Sequence, residues 1–450
     1  MKPLYQNGQT IKSLKTYFSS YFVELTQPTA TKVFLLFLAI LSIQGIQSIR
    51  FLYHCFLKKI SNSSLNSYYF LLSSGKIPLT ALTQTTIQIA LSCVPEKLHQ
   101  YPFFLIIDDT LHPKCGTHFD DYQLMFDHAA HNGSNYLKGH CCVGLVLSIP
   151  IWHQGKVRYL SIPIRYRLRS EKENKLELAA EMIDQALQVV PSEKKIILLC
   201  DSWYPKGAVR KVVAKNTQLE LISNVRVDTK LYDLPPKPTG KRGRLAKKGQ
   251  VLTIQTDFEL NNQTGDYVIG TRKVLTNLFP EPVYAMVTTS DPENPASCSL
   301  FISTLMPEDI LMDEDELEKD FPEEITPNNR NLLPYHLYGF RWSIEVIFYE
   351  QKTFWSFGNY MVRSKASIEN YINFTAIVYS CVQLIPFQQT QYAHLQAESA
   401  QVKKQLFGMA IQEELFFYTF VSTLENRINS SPLLRPLNSG IRKNEVFKNL

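Results

Sequence analysis

At 450 residues the chain is long enough for two or three domains with hydrophobic cores of their own, and an apolar fraction of 45% excludes a disordered polymer. The formal charge of +6 conceals a crowding of acids, since ten of the seventeen residues Glu308 to Glu324 are acidic; the remainder is more basic than the total implies and favours a polyanionic partner. The eight cysteines, at 55, 93, 115, 141, 142, 200, 298 and 381, form no CxxC pair, which excludes a disulfide scaffold and fits reduced thiols in an intracellular protein.

From about Leu14 to Leu98, helix-length apolar patterns alternate with polar breaks such as Ser61–Ser64, predicting a helical domain over residues 1–98. Its greasiest run, Val33 to Ile43, is eleven residues long. A bilayer span needs roughly 20, so a buried helix is expected. The run also starts too late, and lacks the small-residue cleavage pattern, for a signal peptide.

The period then changes. Phe103–Ile107 has the pattern of a buried strand ending in Asp108 and Asp109. Cys141–Ile149 and Val157–Tyr166 read as two further strands around a turn at Trp152–Lys156. A helix over Glu171–Val189, a strand over Lys195–Cys200 ending at Asp201, a helix over Gly207–Ala214 and a strand over Leu219–Val225 complete a βββαβαβ order. That order describes an α/β layer with functional groups at strand ends. His112-x2-Cys115-x2-His118 carries zinc-type donors, but it lacks a fourth ligand and runs through Gly116, so its residues read as loop.

Residues 227–331 read as a β-rich insertion, with strands at Val251–Gln255, Tyr267–Arg272, Val283–Thr288 and Ser299–Ser303. It opens with an extended linker marked by Pro235, Pro236, Pro238 and Gly240. Lys237, Lys241, Arg242, Arg244, Lys247 and Lys248 load this linker with positive charge suited to a DNA backbone or minor groove. The acidic stretch 308–324 is expected to be solvated. Beyond it, Ser367–Ile385, Leu395–Leu406 and Ile411–Leu424 predict a helical C-terminal region, and the last twenty residues read as loop.

Between insertion and C-terminal region lies Tyr338-x2-Arg341-x3-Glu345-x6-Lys352. On a continuous helix at about 100° per residue these four fall within an arc of about 60°. One strand-end aspartate, Asp201 and Glu345 would then supply three carboxylates to one crevice. Because Asp108 and Asp109 alternate across their strand, only one faces it. Asp109 is preferred, as Thr110 follows it to end the strand, with Asp108 as the fallback. Three oxygen donors without neutralising partners suit Mg²⁺ or Mn²⁺ rather than zinc. Two such ions about 3.5–4 Å apart serve phosphodiester cleavage. Arg341 and Lys352 would hold phosphates beside the cut, and Tyr338 would bond a phosphate or pack on sugar.

The four spaced residues match at every position the Y-x2-R-x3-E-x6-K signature of bacterial cut-and-paste DDE transposases of insertion sequences. The segments ending in Asp109 and Asp201 resemble that family's two aspartate motifs, and His128–Ser134 and Tyr136-x2-Gly139-His140 resemble its linking region. The likeness spans about residues 100–375; the acidic segment before Tyr338 is longer than the family needs. The resemblance implies an RNase H-like catalytic core over residues 99–226 and 332–375, interrupted by the insertion. It implies catalysis and binding of two metal ions by Asp109, Asp201 and Glu345, cleavage at transposon ends, and transfer of the 3′-hydroxyl to target DNA. Also implied are a grip on phosphate near a flipped base by Tyr338 and Arg341, where a hairpin forms, and a homodimer bridging two ends. Residues 1–98 would read terminal inverted repeats and residues 376–450 would contribute to pairing. Such a protein would work in the cytoplasm, at the nucleoid. Two other readings compete. An RNase H-type nuclease without strand transfer would share the three carboxylates but leave Tyr338 and Arg341 unexplained. A non-catalytic DNA-binding regulator would bind without metal-dependent cleavage.

Overall fold

The apolar run after Pro102 forms the organising strand, β1 (Phe103–Pro113), whose first five residues are fully buried. The computed structural model describes residues 9–74, 76–127, 135–237, 246–294, 297–310 and 329–430. His128–Ser134 of the linking region, the linker residues Lys241, Arg242 and Arg244, most of the acidic stretch and the last twenty residues lie outside them.

On one side β1 pairs antiparallel with the long β3 (Tyr136–His153), from Phe104 opposite Ser148 to Pro113 opposite Gly139. On the other it runs parallel to β5 (Ile196–Cys200), which runs parallel to β6 (Leu219–Val225). A tight hairpin leads from β3 into β4 (Lys156–Leu168): His153 pairs with Lys156, and the two turn residues, Gln154 and Gly155, both have positive φ. That is the backbone twist a two-residue hairpin requires. The outer edge of β3 also takes a short β2 (Gln123–Phe126).

Beyond β6 the same sheet continues through the insertion, in the order β12 (Ser299–Ser303), β11 (Val283–Thr289), β10 (Tyr267–Thr276), β7 (Leu231–Tyr232) and β8 (Val251–Leu252), with β9 (Leu260–Thr264) on β10. The inserted strands therefore extend the core sheet through the antiparallel β12–β6 pair.

The N-terminal helices α1 (Thr10–Phe18), α2 (Gln27–Ser42), α3 (Leu65–Ser73) and α4 (Leu79–Ser92) are joined between α2 and α3 by a broken helix with a π turn at Tyr53–Leu57. Helices α5 (Lys175–Leu187) and α6 (Gly207–Lys215) follow β4 and β5. After the insertion come α7 (Leu333–Tyr338), a 3₁₀ turn Gly339–Arg341, α8 (Trp342–Phe354), α9 (Lys365–Gln388) and α10 (Ala400–Ser430).

Helices α2, α3 and α4 pack on α9, whose face is almost wholly buried, and α1 and α2 pack on α10. Phe37 meets Phe374 edge-on with ring centres 5.3 Å apart. The Glu414 carboxylate accepts the free first-turn amides of Thr10 and Ile11 at 2.6 and 3.1 Å, so the C-terminal helix caps the N-terminal one. The buried apolar residues of the N-terminal helices, the sheet and α9 form one continuous cluster. Among the described residues no helix is long and apolar enough to cross a membrane.

Candidate active site

Strand alternation decides which carboxylate faces where. Asp108 is paired with Gly144, and a Cβ on Gly144 would lie 3.0 Å from the Phe348 ring of α8 and 2.7 Å from Tyr166, so the Asp108 face of the sheet is the one covered by α8. Asp109 points the other way. Its Oδ2 accepts from Lys175 Nζ at 2.7 Å, at the start of α5, and its Oδ1 accepts from the Tyr204 hydroxyl at 2.9 Å. Cys141, on that same face, approaches Asp109 Oδ2 at 3.4 Å.

Asp201 follows the last β5 residue, Cys200, whose partner across the parallel ladder is Ile107. It thus stands at the level of Asp108, beyond the end of its strand. Its Oδ1 accepts from the Trp203 amide at 3.0 Å, the bond of an Asx turn. Burial raises the Asp108 carboxyl to about 7, with the Asp201 charge adding to the rise and Arg341 opposing it. Asp201 is raised as well, first by burial and then by the charge of Asp109.

Arg341 joins the strand end to the helix. Its Nη1 donates to Asp108 Oδ2 at 3.1 Å, while its Nη2 is paired with Glu345 one α-helical turn further on. One guanidinium fork thus spans the gap between Asp108 and Glu345. The fourfold stripe differs from a continuous helix, because the 3₁₀ turn interrupts it between Tyr338 and Arg341. Residues three apart eclipse in a 3₁₀ turn, so Tyr338 and Arg341 still share a side. Tyr338 packs on Phe301 of β12 with ring centres 5.0 Å apart and bonds the Asn224 backbone; burial lifts its hydroxyl well above the usual phenol range. Lys352, two turns beyond Glu345, lies toward Cys142 and His112 rather than among the carboxylates, and partial desolvation lowers its ammonium.

The helix is braced from below. Tyr166 of β4 donates its hydroxyl to Gln351 at 2.6 Å, and Gln351 is wholly buried. Lys114 Nζ donates to the carbonyls of Gly358 and Tyr360, and the Tyr360 hydroxyl bonds His140 Nδ1 at 2.7 Å, fixing the segment that leaves α8. His112 is buried on β1 against Phe357, whereas Cys115 is exposed.

Asp108 and Glu345 thus share Arg341, Asp201 stands at the level of Asp108, and Asp109, the residue preferred from sequence, lies on the face opposite Asp108. The preference rested on proximity to the strand end, but the strand runs on to Pro113, and parity alone decides the facing. Among the linker cations, Lys248 is drawn to the insertion, bonding the Thr276 carbonyl at 3.3 Å, while Lys247 lies beside it in a basic cleft with Arg210 and Lys211. The motif reading omitted Lys175, Tyr204 and Trp203. Trp203 is 53% exposed beside Asp201, with Lys206 Nζ 4.0 Å from its ring centre. The adjacency Asp201-Ser202-Trp203-Tyr204 was the available signal, since an aspartate starting a turn aims its next residues around its own site.

Asp108, Asp201 and Glu345 supply only oxygen donors, the type that a hard divalent cation takes. Among the described residues no three acidic, histidine or cysteine side chains are drawn tightly enough to hold an ion as they stand. The Arg341 guanidinium is the cation between two of them. Residues 104–381, more than half of the chain, match the sequence model of the family described as Transposase DDE domain. No curated protein matches the chain at a significant level.

Proposed function

The chain belongs to the Transposase DDE domain family, and from that premise we propose that it is a DNA transposase in which Asp108, Asp201 and Glu345 are the catalytic carboxylates of an RNase H-like core. The observation that carries the reading is the pairing of Ile107 with Cys200 at the end of the β1–β5 ladder, which sets Asp108 and Asp201 at one level, with Glu345 tied to Asp108 through Arg341. The strand order β4-β3-β1-β5-β6, with its last three strands parallel, supports that core.

The three carboxylates would hold two Mg²⁺ or Mn²⁺ ions, which when bound activate the attacking oxygen and stabilise the leaving oxygen at a phosphodiester. Arg341 neutralises Asp108 and Glu345 in the free protein and turns to the scissile phosphate when that pairing is released. Tyr338, held against Phe301, and Lys352, on the exposed side of α8, flank the DNA on either side of the cut. The substrate is double-stranded DNA bounded by terminal inverted repeats. The freed 3′-hydroxyl is joined to target DNA, and a homodimer holds the two ends together. Lys237, Lys247 and Lys248 contribute backbone contacts, as do Lys241, Arg242 and Arg244.

The test is cleavage of labelled duplex carrying the sequences that flank the gene, with Mg²⁺, with Mn²⁺ and with neither. Metal-dependent nicking at the element boundary followed by joined products is expected. Asp108→Asn, Asp201→Asn and Glu345→Gln should each reduce it below detection, while Asp109→Asn retains it. Retention in Asp108→Asn with loss in Asp109→Asn would return the first position to Asp109. Cutting without joined products would leave a nuclease, and binding without cutting would leave a regulator.

A further inference from the structure

Asp109 faces away from the side of the sheet that α8 covers, yet both of its oxygens are engaged, Oδ2 with Lys175 and Oδ1 with the Tyr204 hydroxyl. Tyr204 belongs to the turn that Asp201 begins. Its amide donates to the Asp201 carbonyl at 3.2 Å and closes the turn, while the Trp203 amide donates to the Asp201 side chain. Those bonds aim the Asp201 carboxylate relative to its own turn, but they do not fix the turn against the sheet.

The near end of the turn is met from β6, where the Ser223 hydroxyl reaches the carbonyls of Cys200 and Asp201 at 3.0 and 3.2 Å. The far end is held from β1, where Asp109 accepts from Tyr204 at 2.9 Å. Tyr204 is wholly buried, and a buried hydroxyl that loses its partner is left with the full cost of its desolvation. Its acceptor is a carboxylate steadied by the Lys175 ammonium at 2.7 Å, and hydrogen bonds to such a group are stronger than those between neutral partners. Asp109 is also the residue next to Asp108. The bond therefore closes a short loop from Asp108 through Asp109 and Tyr204 to Asp201, and it sets how far apart the two carboxylates of the cleft stand.

We propose that Asp109 and Tyr204 are positioning residues, which clamp the Asp201 turn to β1 and hold Asp201 at its place beside Asp108 for the metal-dependent cut. The role rests on the reading of Asp108 and Asp201 as catalytic carboxylates. It divides the work of the adjacent aspartates by strand parity: Asp108 is turned to the chemistry, and Asp109, on the other face, secures the partner carboxylate. Groups behind a metal ligand govern how well it binds, because a ligand free to move must be ordered when the ion arrives.

The experiment is hydrogen exchange read by mass spectrometry on the full chain, together with cleavage of the flanking-sequence duplex over a range of Mn²⁺ concentrations. Tyr204→Phe removes the hydroxyl and leaves the ring in its buried place. Residues 201–206 should then exchange about tenfold faster than in the native chain, with β5 unchanged. Half-maximal cleavage should need about tenfold more Mn²⁺, with the native rate regained at saturation. Asp109→Asn keeps an oxygen that accepts from the hydroxyl and should stay within about threefold of the native chain in both readouts. Asp109→Leu should match Tyr204→Phe. A purely structural brace would lower the fraction of active chains at every Mn²⁺ concentration without moving the midpoint, and that result overturns the role. Native exchange at the turn in Tyr204→Phe overturns the clamp. A native chain that cuts at no Mn²⁺ concentration overturns the carboxylate reading and the role with it, whatever the exchange of the turn.

Discussion

Adjacent aspartates on one strand have opposite environments because successive side chains leave the pleat on opposite sides. Asp109 is met by an ammonium and a phenol, whereas Asp108 shares a half-buried gap with Asp201 and relies on Arg341. The consequence is a pH dependence. An unfolded aspartate ionises near pH 3.9, but Asp108 in the folded chain is raised to about 7. Between those values the folded state retains a proton that the unfolded state has released, so this residue's contribution to stability declines as pH rises from about 4 to about 7. Asp108→Asn cannot ionise and escapes that decline. In metal-free buffer the variant should therefore gain on the native chain in Tm between pH 5 and pH 8, as melts at the two pH values would reveal. A constant difference would mean that Asp108 is ionised throughout.

Among the elements, β4 faces the hardest problem, because it is an edge strand buried under helices. A covered edge leaves peptide groups that neither water nor another strand can satisfy. Helix α9 answers with side chains. Asn373 accepts from the Tyr166 amide and donates to the Tyr166 carbonyl, both at 2.9 Å. Glu369 accepts from the Leu168 amide, and Ser380 donates to the Pro163 carbonyl at 2.9 Å. These three positions fall within about 40° on an α-helix, so one polar stripe on an otherwise apolar helix takes the place of a neighbouring strand. Thr83 of α4 adds a bond to the Ile164 carbonyl at 3.2 Å. Asn373→Leu preserves the bulk but orphans a buried amide and a buried carbonyl, each costing about 1–3 kcal/mol. A loss of about 2–4 kcal/mol in urea denaturation is expected. A change below about 0.5 kcal/mol would mean that water replaces the amide.

At the scale of the whole molecule, the N-terminal helices are structural partners of the sheet as well as the segment proposed to read DNA ends. Their apolar residues join those of α9 and α10 in the common core, and the Glu414 cap ties α1 to α10. Removing residues 1–98 would expose the buried face of α9 to water over most of its length. The fragment 99–450 is expected to lose its cooperative thermal transition and to aggregate. A sharp melt with native near-ultraviolet dichroism would instead establish an autonomous core.

Sequence alone determined the order of elements from β1 through β6 apart from the short β2, the placing of Asp108 on β1 and of Asp201 just past β5, and the helix that carries Glu345 and Lys352. Those features are local: period-2 apolar runs, turn residues and helical spacing depend on near neighbours. The two-residue turn at Gln154 and Gly155 falls inside the expected Trp152–Lys156 break for the same reason. Tertiary structure decided what depends on residues far apart in the chain. The facing of Asp108 follows from its pairing with Gly144 and the packing of Phe348, and the joining of the insertion strands to the core sheet follows from the β12–β6 pair. It also decided that Arg165 lies buried with its Nε and Nη1 unbonded among the described residues. Nothing in the run Ile164–Leu168 distinguishes that arginine from Arg167, which is held by Glu181 and Glu369. Strand parity separates the two in direction, but only the elements packed on each face determine which charge finds an answer.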